Sequence, residues 1–219
     1  NSEFSYNEFE ASDWAMYCYN CDNSKFTHNE IYPGVDAYMS GGIHVEEAES
    51  STFSYNNIIG FRDHGIYFRD SDGSTVINNT IADTNKQGNY ENSNDCYGLY
   101  TWDNSSNTEN IIRHNNISVW GNHQVHGIRA NYSSIDSNNV FVWSNYYRTS
   151  GIYSNYSDIR DNRIWVYTRD GHDGAQSGIY SGNSSTDRAT IRGNVIYALR
   201  YTNGIYGNYF LADSNTIIG

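Results

Sequence analysis

An all-β solenoid, a parallel β-helix of about nine coils, is the fold predicted by this 219-residue sequence. Three observations predict it. One short Asn motif recurs nine times, a Gly-Ile-Tyr motif runs in phase with it, and no stretch carries the periodicity of a helix.

The first motif is an apolar residue, two variable residues, Asn, one variable residue, then an apolar residue. Its Asn positions are Asn7, Asn29, Asn56, Asn79, Asn115, Asn138, Asn162, Asn194 and Asn215, spaced 21 to 36 residues apart. The second motif centres on Gly42-Ile43, Gly65-Ile66, Gly98-Leu99, Gly127-Ile128, Gly151-Ile152, Gly178-Ile179 and Gly204-Ile205, with Ala15-Met16-Tyr17 as a degenerate first copy. Each period thus holds short apolar segments rich in Ile, Val, Tyr and Phe, separated by polar turns, which is strand chemistry. A strand this short buries a face only by stacking on its equivalents in neighbouring coils. The repeated Asn is expected at a bend, where it tolerates left-handed backbone, with the amides stacked along the axis as a ladder. The Gly before each Ile is expected to mark a second bend.

This rhythm of Asn-x-Ile and Gly-Ile-Tyr resembles the right-handed parallel β-helix proteins of the pectate-lyase-like superfamily, most of all the Asn-rich repeat versions on microbial surface and secreted proteins. The resemblance covers essentially the whole chain. It implies a right-handed coil but no single activity, because the superfamily includes lyases, hydrolases, epimerases, tailspikes, adhesins and structural shafts.

Residues 1–219 read as a single domain with no break in composition. A net charge of -12 argues against a nucleic-acid partner, and no apolar stretch is long enough to span a membrane. Both ends lie inside repeats without polar caps, so the segment is expected to belong to a longer chain or an assembly. Cys18 and Cys21 read as structural thiols, a disulfide or, less readily, metal ligands. Cys96 lies in a long insertion and is expected to be able to cross-link. Asn78, Asn104, Asn116, Asn131, Asn155 and Asn183 each begin a glycosylation sequon, which suits an extracellular or cell-surface protein.

Insertions in a solenoid gather on one edge, often the binding edge. Residues 82–97, 118–126 and 165–177 are expected to project there as loops. That edge collects Arg62, Asp63, His64, Asp95, His123, His126, Tyr147, Arg148, His172, Arg200 and Tyr201. If the chain is an enzyme, His64, His126, Arg148 and His172 are the catalytic candidates, and the chemistry is that of a polysaccharide lyase or hydrolase working on an acidic sugar polymer. No carboxylate motif of a glycosidase accompanies Asp63-His64 or Asp170-Gly-His-Asp173. Asp70-Ser-Asp-Gly-Ser74 starts like a calcium loop but lacks the distal Glu, so an Asx turn is the plainer reading; no cofactor is expected apart from the calcium that this segment allows. Tyr67, Tyr100, Tyr153, Tyr180 and Tyr206, with His44 and Arg129 in the same register, form a stripe suited to sugar rings, to a neighbouring subunit, or simply to one another. The leading expectation is a non-catalytic extracellular building block that assembles with copies of itself in a surface layer, sheath or filament. The alternatives are the polysaccharide enzyme and a carbohydrate-binding shaft.

Overall fold

The computed structural model describes residues 1–34, 39–83, 95–102, 109–145, 148–169, 176–182 and 189–219. Each of the first eight coils contributes one strand to each of three parallel sheets, as Thr52–Ser54, Asn57–Ile59 and Phe61–Arg69 do in the third coil. Among the described residues, the first and second sheets hold nine strands and the third holds eight. Strands pair only with their equivalents one coil away, in the order of the repeats.

The registers turn the sequence repeats into columns. In the first sheet Phe4, Phe26, Phe53, Val76, Ile112, Ile135, Ile159, Ile191 and Ala212 lie side by side. In the third sheet Met16, Ile43, Ile66, Leu99, Ile128, Ile152, Ile179 and Ile205 do the same. The central members of both columns are buried, and with Ile58, Ile81, Ile117, Val140, Ile164 and Ile196 of the second sheet they fill the interior. Burying one such side chain contributes about 1.5–3 kcal/mol, so strands of three residues hold because they are stacked.

The nine repeated Asn residues line up at the bend between the first and second sheets. Each side-chain amide donates to the Oδ1 of the next, from Asn7 to Asn29 through to Asn194 and Asn215, at 2.8–3.0 Å. The expectation of left-handed backbone at these Asn residues is corrected. The positive φ falls on the residue before each one, as at Tyr55 (57°), His114 (56°) and Ser137 (54°). That residue turns the chain so that the Asn side chain points inward. Its own N–H is met by a carbonyl of the next coil, as in Tyr55 N–H to Ile77 O at 3.3 Å. A second ladder at another bend runs through Ser24, Ser51, Ser74 and Asn110, each backbone N–H donating to the next side-chain oxygen at 2.8–3.3 Å.

The repeated Gly is not at a bend. It lies mid-strand in the third sheet, where a Cβ on Gly151 would sit 2.7 Å from the Gly178 carbonyl oxygen and closer still to Ile164. Gly is required there by crowding between coils. The flanking side chains, such as His64 and Tyr67, both come out on the outer face, with ring centroids 5.0 Å apart. Each Gly therefore places two outward columns next to each other.

The projecting loops also need correction. Residues 118–121 and 165–168 are the ends of the strands Asn116–Gly121 and Arg163–Thr168, and Ala82, Cys96 and Tyr97 are likewise strand residues. Cys96 is buried and its thiol is pushed well up by burial, so it offers no cross-link on the surface. Cys18 and Cys21 are bonded to each other.

Candidate functional site

The two outward columns of the third sheet build a groove of about 960 Å³. In one column Tyr17, His44, Tyr67, Tyr100, Arg129, Tyr153, Tyr180 and Tyr206 share a register. In the other, His64, Tyr97 and His126 occupy successive coils. Gly41 leaves the place beside His64 open, and the Trp14 ring fills it, stacked 5.9 Å from His64. Trp14 and Trp102 both line the groove, as do Asp63, Asp95 and His123.

Ring geometry differs along the stripe. Tyr153 and Tyr180 stack with centroids 4.6 Å apart and planes within 10°, so their faces are taken up by each other. Inside the groove Tyr67 meets Tyr100 at 40° and Trp14 at 31°, while His64 lies within 18° of parallel to Tyr97 and Tyr100. Tilted rings turn part of a face outward, which is what stacking on a flat ligand requires.

A hydrogen-bonded line crosses the groove. His123 Nδ1 lies 2.9 Å from Asp95 Oδ1, Tyr97 donates to Asp95 Oδ2 at 2.9 Å, and Arg129 Nη1 donates to the Tyr97 hydroxyl at 3.1 Å. The Arg129 guanidinium also sits over the Tyr100 ring at 4.8 Å and the Tyr153 ring at 5.2 Å. Burial pushes the Tyr97 phenol well up, more than the nearby Arg129 pulls it down. Tyr67 and Tyr100 are raised for the same first reason, so all three carry their protons at neutral pH. Burial pulls His64 down to about 4, and it is a neutral imidazole at pH 7. Its ring stacks 5.1 Å from Tyr97, and its Nδ1 has no hydrogen-bond partner among the described residues. The groove thus juxtaposes a neutral base, protonated phenols and one fixed guanidinium. Among the described residues no group of three or more His, Cys, Asp or Glu is arranged to hold a metal ion.

A family model described as the right handed beta helix region matches residues 1–117, more than half of the chain. The chain belongs to the right-handed β-helix family. No curated protein matches it. Among solved structures, this β-helix is similar to the periplasmic alginate epimerase AlgG, at 14% identity and a TM-score of 0.55, over 94% of this chain and 48% of that one. A mutant of the same epimerase gives 13% identity and the same TM-score over the same shares. The Dettilon tailspike protein (gp208) gives 12% identity and a TM-score of 0.47, over 98% of this chain and 60% of that one. The β-helix described here spans about half the length of the epimerase, and at these identities the likeness is one of fold.

Of the four catalytic candidates, His64 and His126 lie in one outward column with Tyr97 stacked between them, at 5.1 and 5.5 Å. His126 is buried, however, with its pKa pulled down to about 3 by burial, and only His64 lines the groove. Arg148 is exposed, and its carbonyl accepts the Val125 N–H at 3.0 Å. His172, Asp170, Asp173 and Tyr147 lie outside the described residues, as do the sequons at Asn104 and Asn183. Asn116 is exposed and Asn78 half-buried. Asn131 and Asn155 each accept a backbone N–H on Oδ1, at 3.0 and 2.8 Å. The start of the calcium-like segment is a turn, with Asp70 at φ 48° and its N–H bonded to Trp102 O. The sequence reading missed Trp14, Tyr97 and Trp102 as groove residues and treated Arg129 only as a member of the stripe. The signal was present for Tyr97: the residue before each Gly is His64, Tyr97 and His126 in three successive copies.

Proposed function

We propose that this β-helix is a secreted, periplasmic or surface protein that holds an acidic sugar polymer in the groove of its third sheet and acts on a uronate unit by proton abstraction. The observation that carries this reading is the Asp95–Tyr97–Arg129 hydrogen-bonded line beside the neutral His64. Arg129 is the cation for the uronate carboxylate, and pairing it there acidifies the adjacent C–H. Tyr97 holds Arg129 and Asp95 in register. His64 takes the proton from C5, with its pKa below neutrality so that the base is free at working pH. In an elimination, the C–H electron pair becomes the C4–C5 double bond and the C4–O bond breaks. The leaving oxygen takes a proton from a groove phenol, Tyr67 or Tyr100. In an epimerisation a groove phenol, Tyr67 or Tyr100, gives C5 a proton on the opposite face and is reprotonated from solvent, while His64 releases the abstracted proton to solvent. The tilted rings of Trp14, Tyr67 and Tyr100 would carry the sugar units. The fold likeness to an alginate epimerase supports a β-helix frame for such a groove, not the substrate.

The test is incubation with alginate and with polygalacturonate. Elimination gives an unsaturated, ultraviolet-absorbing end, epimerisation in D₂O incorporates deuterium at C5, and hydrolysis gives reducing ends alone. His64→Ala and Arg129→Ala are each expected to remove turnover by about 10²-fold or more while the native circular dichroism is kept. Absence of both turnover and binding across such polymers would return the chain to the non-catalytic building block, in which the stripe and the groove serve assembly.

A further inference from the structure

The outer face of the second sheet is a separate surface with a charge gradient along it. At one end it carries Glu8, Glu10 and Glu30, all exposed and without a cation partner among the described residues. At the other end the strands Asn116–Gly121, Asn139–Ser144, Arg163–Thr168 and Val195–Arg200 contain no Asp or Glu at all. They present aromatic rings instead, with the guanidiniums of Arg163 over Trp165 at 5.9 Å and Arg200 over Tyr167 at 5.3 Å. Three of the five tryptophans of the chain, Trp120, Trp143 and Trp165, stand here.

We infer that this face is a homodimer interface, on which a second copy of the chain packs antiparallel, face to face. A two-fold interface must be self-complementary, so that residue i meets j and j meets i. Acid at one end and arginine at the other supplies that complementarity when one rod is reversed against its partner. In that arrangement the Glu8, Glu10 and Glu30 end of each copy meets the Arg163 and Arg200 end of the other. Nine strands spaced about 4.8 Å apart make the face roughly 40 Å long, and strands of three to six residues make it roughly 10–20 Å wide. That footprint approaches the roughly 600–1,000 Å² per partner that specific dimers bury, which sets a concentration-dependent dimer rather than an obligate one. Trp, Tyr, Phe and Arg are the residues enriched at interface cores.

Rings on this face stack along the rod at two places, Trp165 on Tyr197 within 3° at 5.2 Å and Trp143 on Tyr167 within 9° at 6.1 Å, while Trp120 tilts by 33° to Trp143 and 40° to Phe141. The reversal of charge along the face, and not ring orientation, selects a second copy of the chain as the occupant.

The experiment is sedimentation velocity of the wild-type chain over a concentration series at low and high salt, beside two variants checked for native circular dichroism. One variant is Arg163→Glu with Arg200→Glu, and the other is Glu8→Arg with Glu30→Arg. The wild type is expected to dimerise, more weakly in high salt. Each variant alone is expected to dimerise about tenfold more weakly or worse. Mixed in equal amounts, the two are expected to form a heterodimer, because both of its charged contacts are then matched. A wild type that stays monomeric at every concentration overturns the inference, as do variants that each dimerise as tightly as the wild type. Retention of a monomeric wild type on an anionic polysaccharide matrix, lost with Arg163→Glu and Arg200→Glu, would overturn it in favour of a polymer site.

Discussion

Removing one rung of the Asn ladder isolates what holds the coils together. Asn138 is 1% exposed and makes five hydrogen bonds through its side chain. Its Oδ1 accepts from the Asn115 N–H at 2.9 Å and from the Asn115 amide at 3.0 Å. Its Nδ2 donates to Ile112 O at 2.9 Å, Asp136 O at 3.0 Å and Asn162 Oδ1 at 3.0 Å. In Asn138→Ala the Asn115 amide keeps Val76 O and Arg113 O, but the Asn115 backbone N–H loses the acceptor it uses. One buried orphan at about 1–3 kcal/mol, added to several bonds worth about 1 kcal/mol each, gives a loss of about 3–5 kcal/mol. Asn138→Asp keeps the shape and sharpens the test. Its second oxygen would face three acceptor oxygens where the NH₂ group stood, so burial and repulsion raise the folded-state pKa of the new carboxyl. A raised folded pKa leaves no ionisation penalty while the unfolded chain is also protonated, below about pH 3.9. Above that, stability falls by about 1.4 kcal/mol per pH unit until the folded pKa is passed. Urea denaturation followed by circular dichroism from pH 3.5 to 8, with each variant read against wild type at the same pH, measures both effects. A loss under about 1 kcal/mol for Asn138→Ala, or a pH-independent difference for Asn138→Asp, would refute the idea that the ladder is a continuous, satisfied hydrogen-bond chain.

Two further expectations concern the interior. Ile152→Ala, at a fully buried position in the third-sheet column, should cost about 2–5 kcal/mol in the same denaturation assay. Gly151→Ala, one residue away, should also destabilise, by about 1–3 kcal/mol or more, because its Cβ meets the Gly178 carbonyl and Ile164. His126 is buried neutral with a folded pKa of about 3, so the unfolded chain takes up its proton first as pH falls. The stability it supports is present above about pH 6.5 and is lost between there and about pH 3. His126→Phe should therefore flatten the acid limb of a melting-temperature profile relative to wild type.

The interior was legible because each of its positions is used once per coil for one physical purpose. Phe26 sits on Phe53 and Ile128 on Ile152 because only apolar side chains fill that space. Each Asn of the ladder needs an amide above and below, so the residue type recurs at every bend of that kind. What misled was phase within the bend. A left-handed backbone and a stacking amide are both traits of Asn, and the chain assigns them to adjacent residues. Tyr55 takes the φ of 57° and Asn56 takes the ladder. The glycines misled for a similar reason. A repeated Gly reads as a turn, but at Gly151 the constraint is distance to the next coil rather than φ. The serine ladder escaped notice because Ser24, Ser51 and Ser74 give way to Asn110, and a change of residue hides a conserved role for the side-chain oxygen.

The outer columns obey no such single constraint, and for that reason they carry whatever is particular to this chain. Arg129 replaces Tyr in the stripe between Tyr100 and Tyr153, and the stack accepts it because a guanidinium is flat and binds ring faces as a cation. The break in the repeat is the position to which the hydrogen-bonded line of the groove connects, at 3.1 Å to the Tyr97 hydroxyl. His64 and Tyr97 differ from Ser150 and Ser177 in the same column, and again the aromatic members are those at the groove. Departures from a repeat on its outer face therefore rank candidate site residues better than long spacings between motifs. The spacings point to residues 82–97, most of which lie outside the described structure, whereas the departures point to residues 64, 97 and 129. The same reasoning extends to the second sheet. There Arg163 stands in the column that begins with Glu8 and Glu30, and it is this reversal along a single column that gives the face two unlike ends.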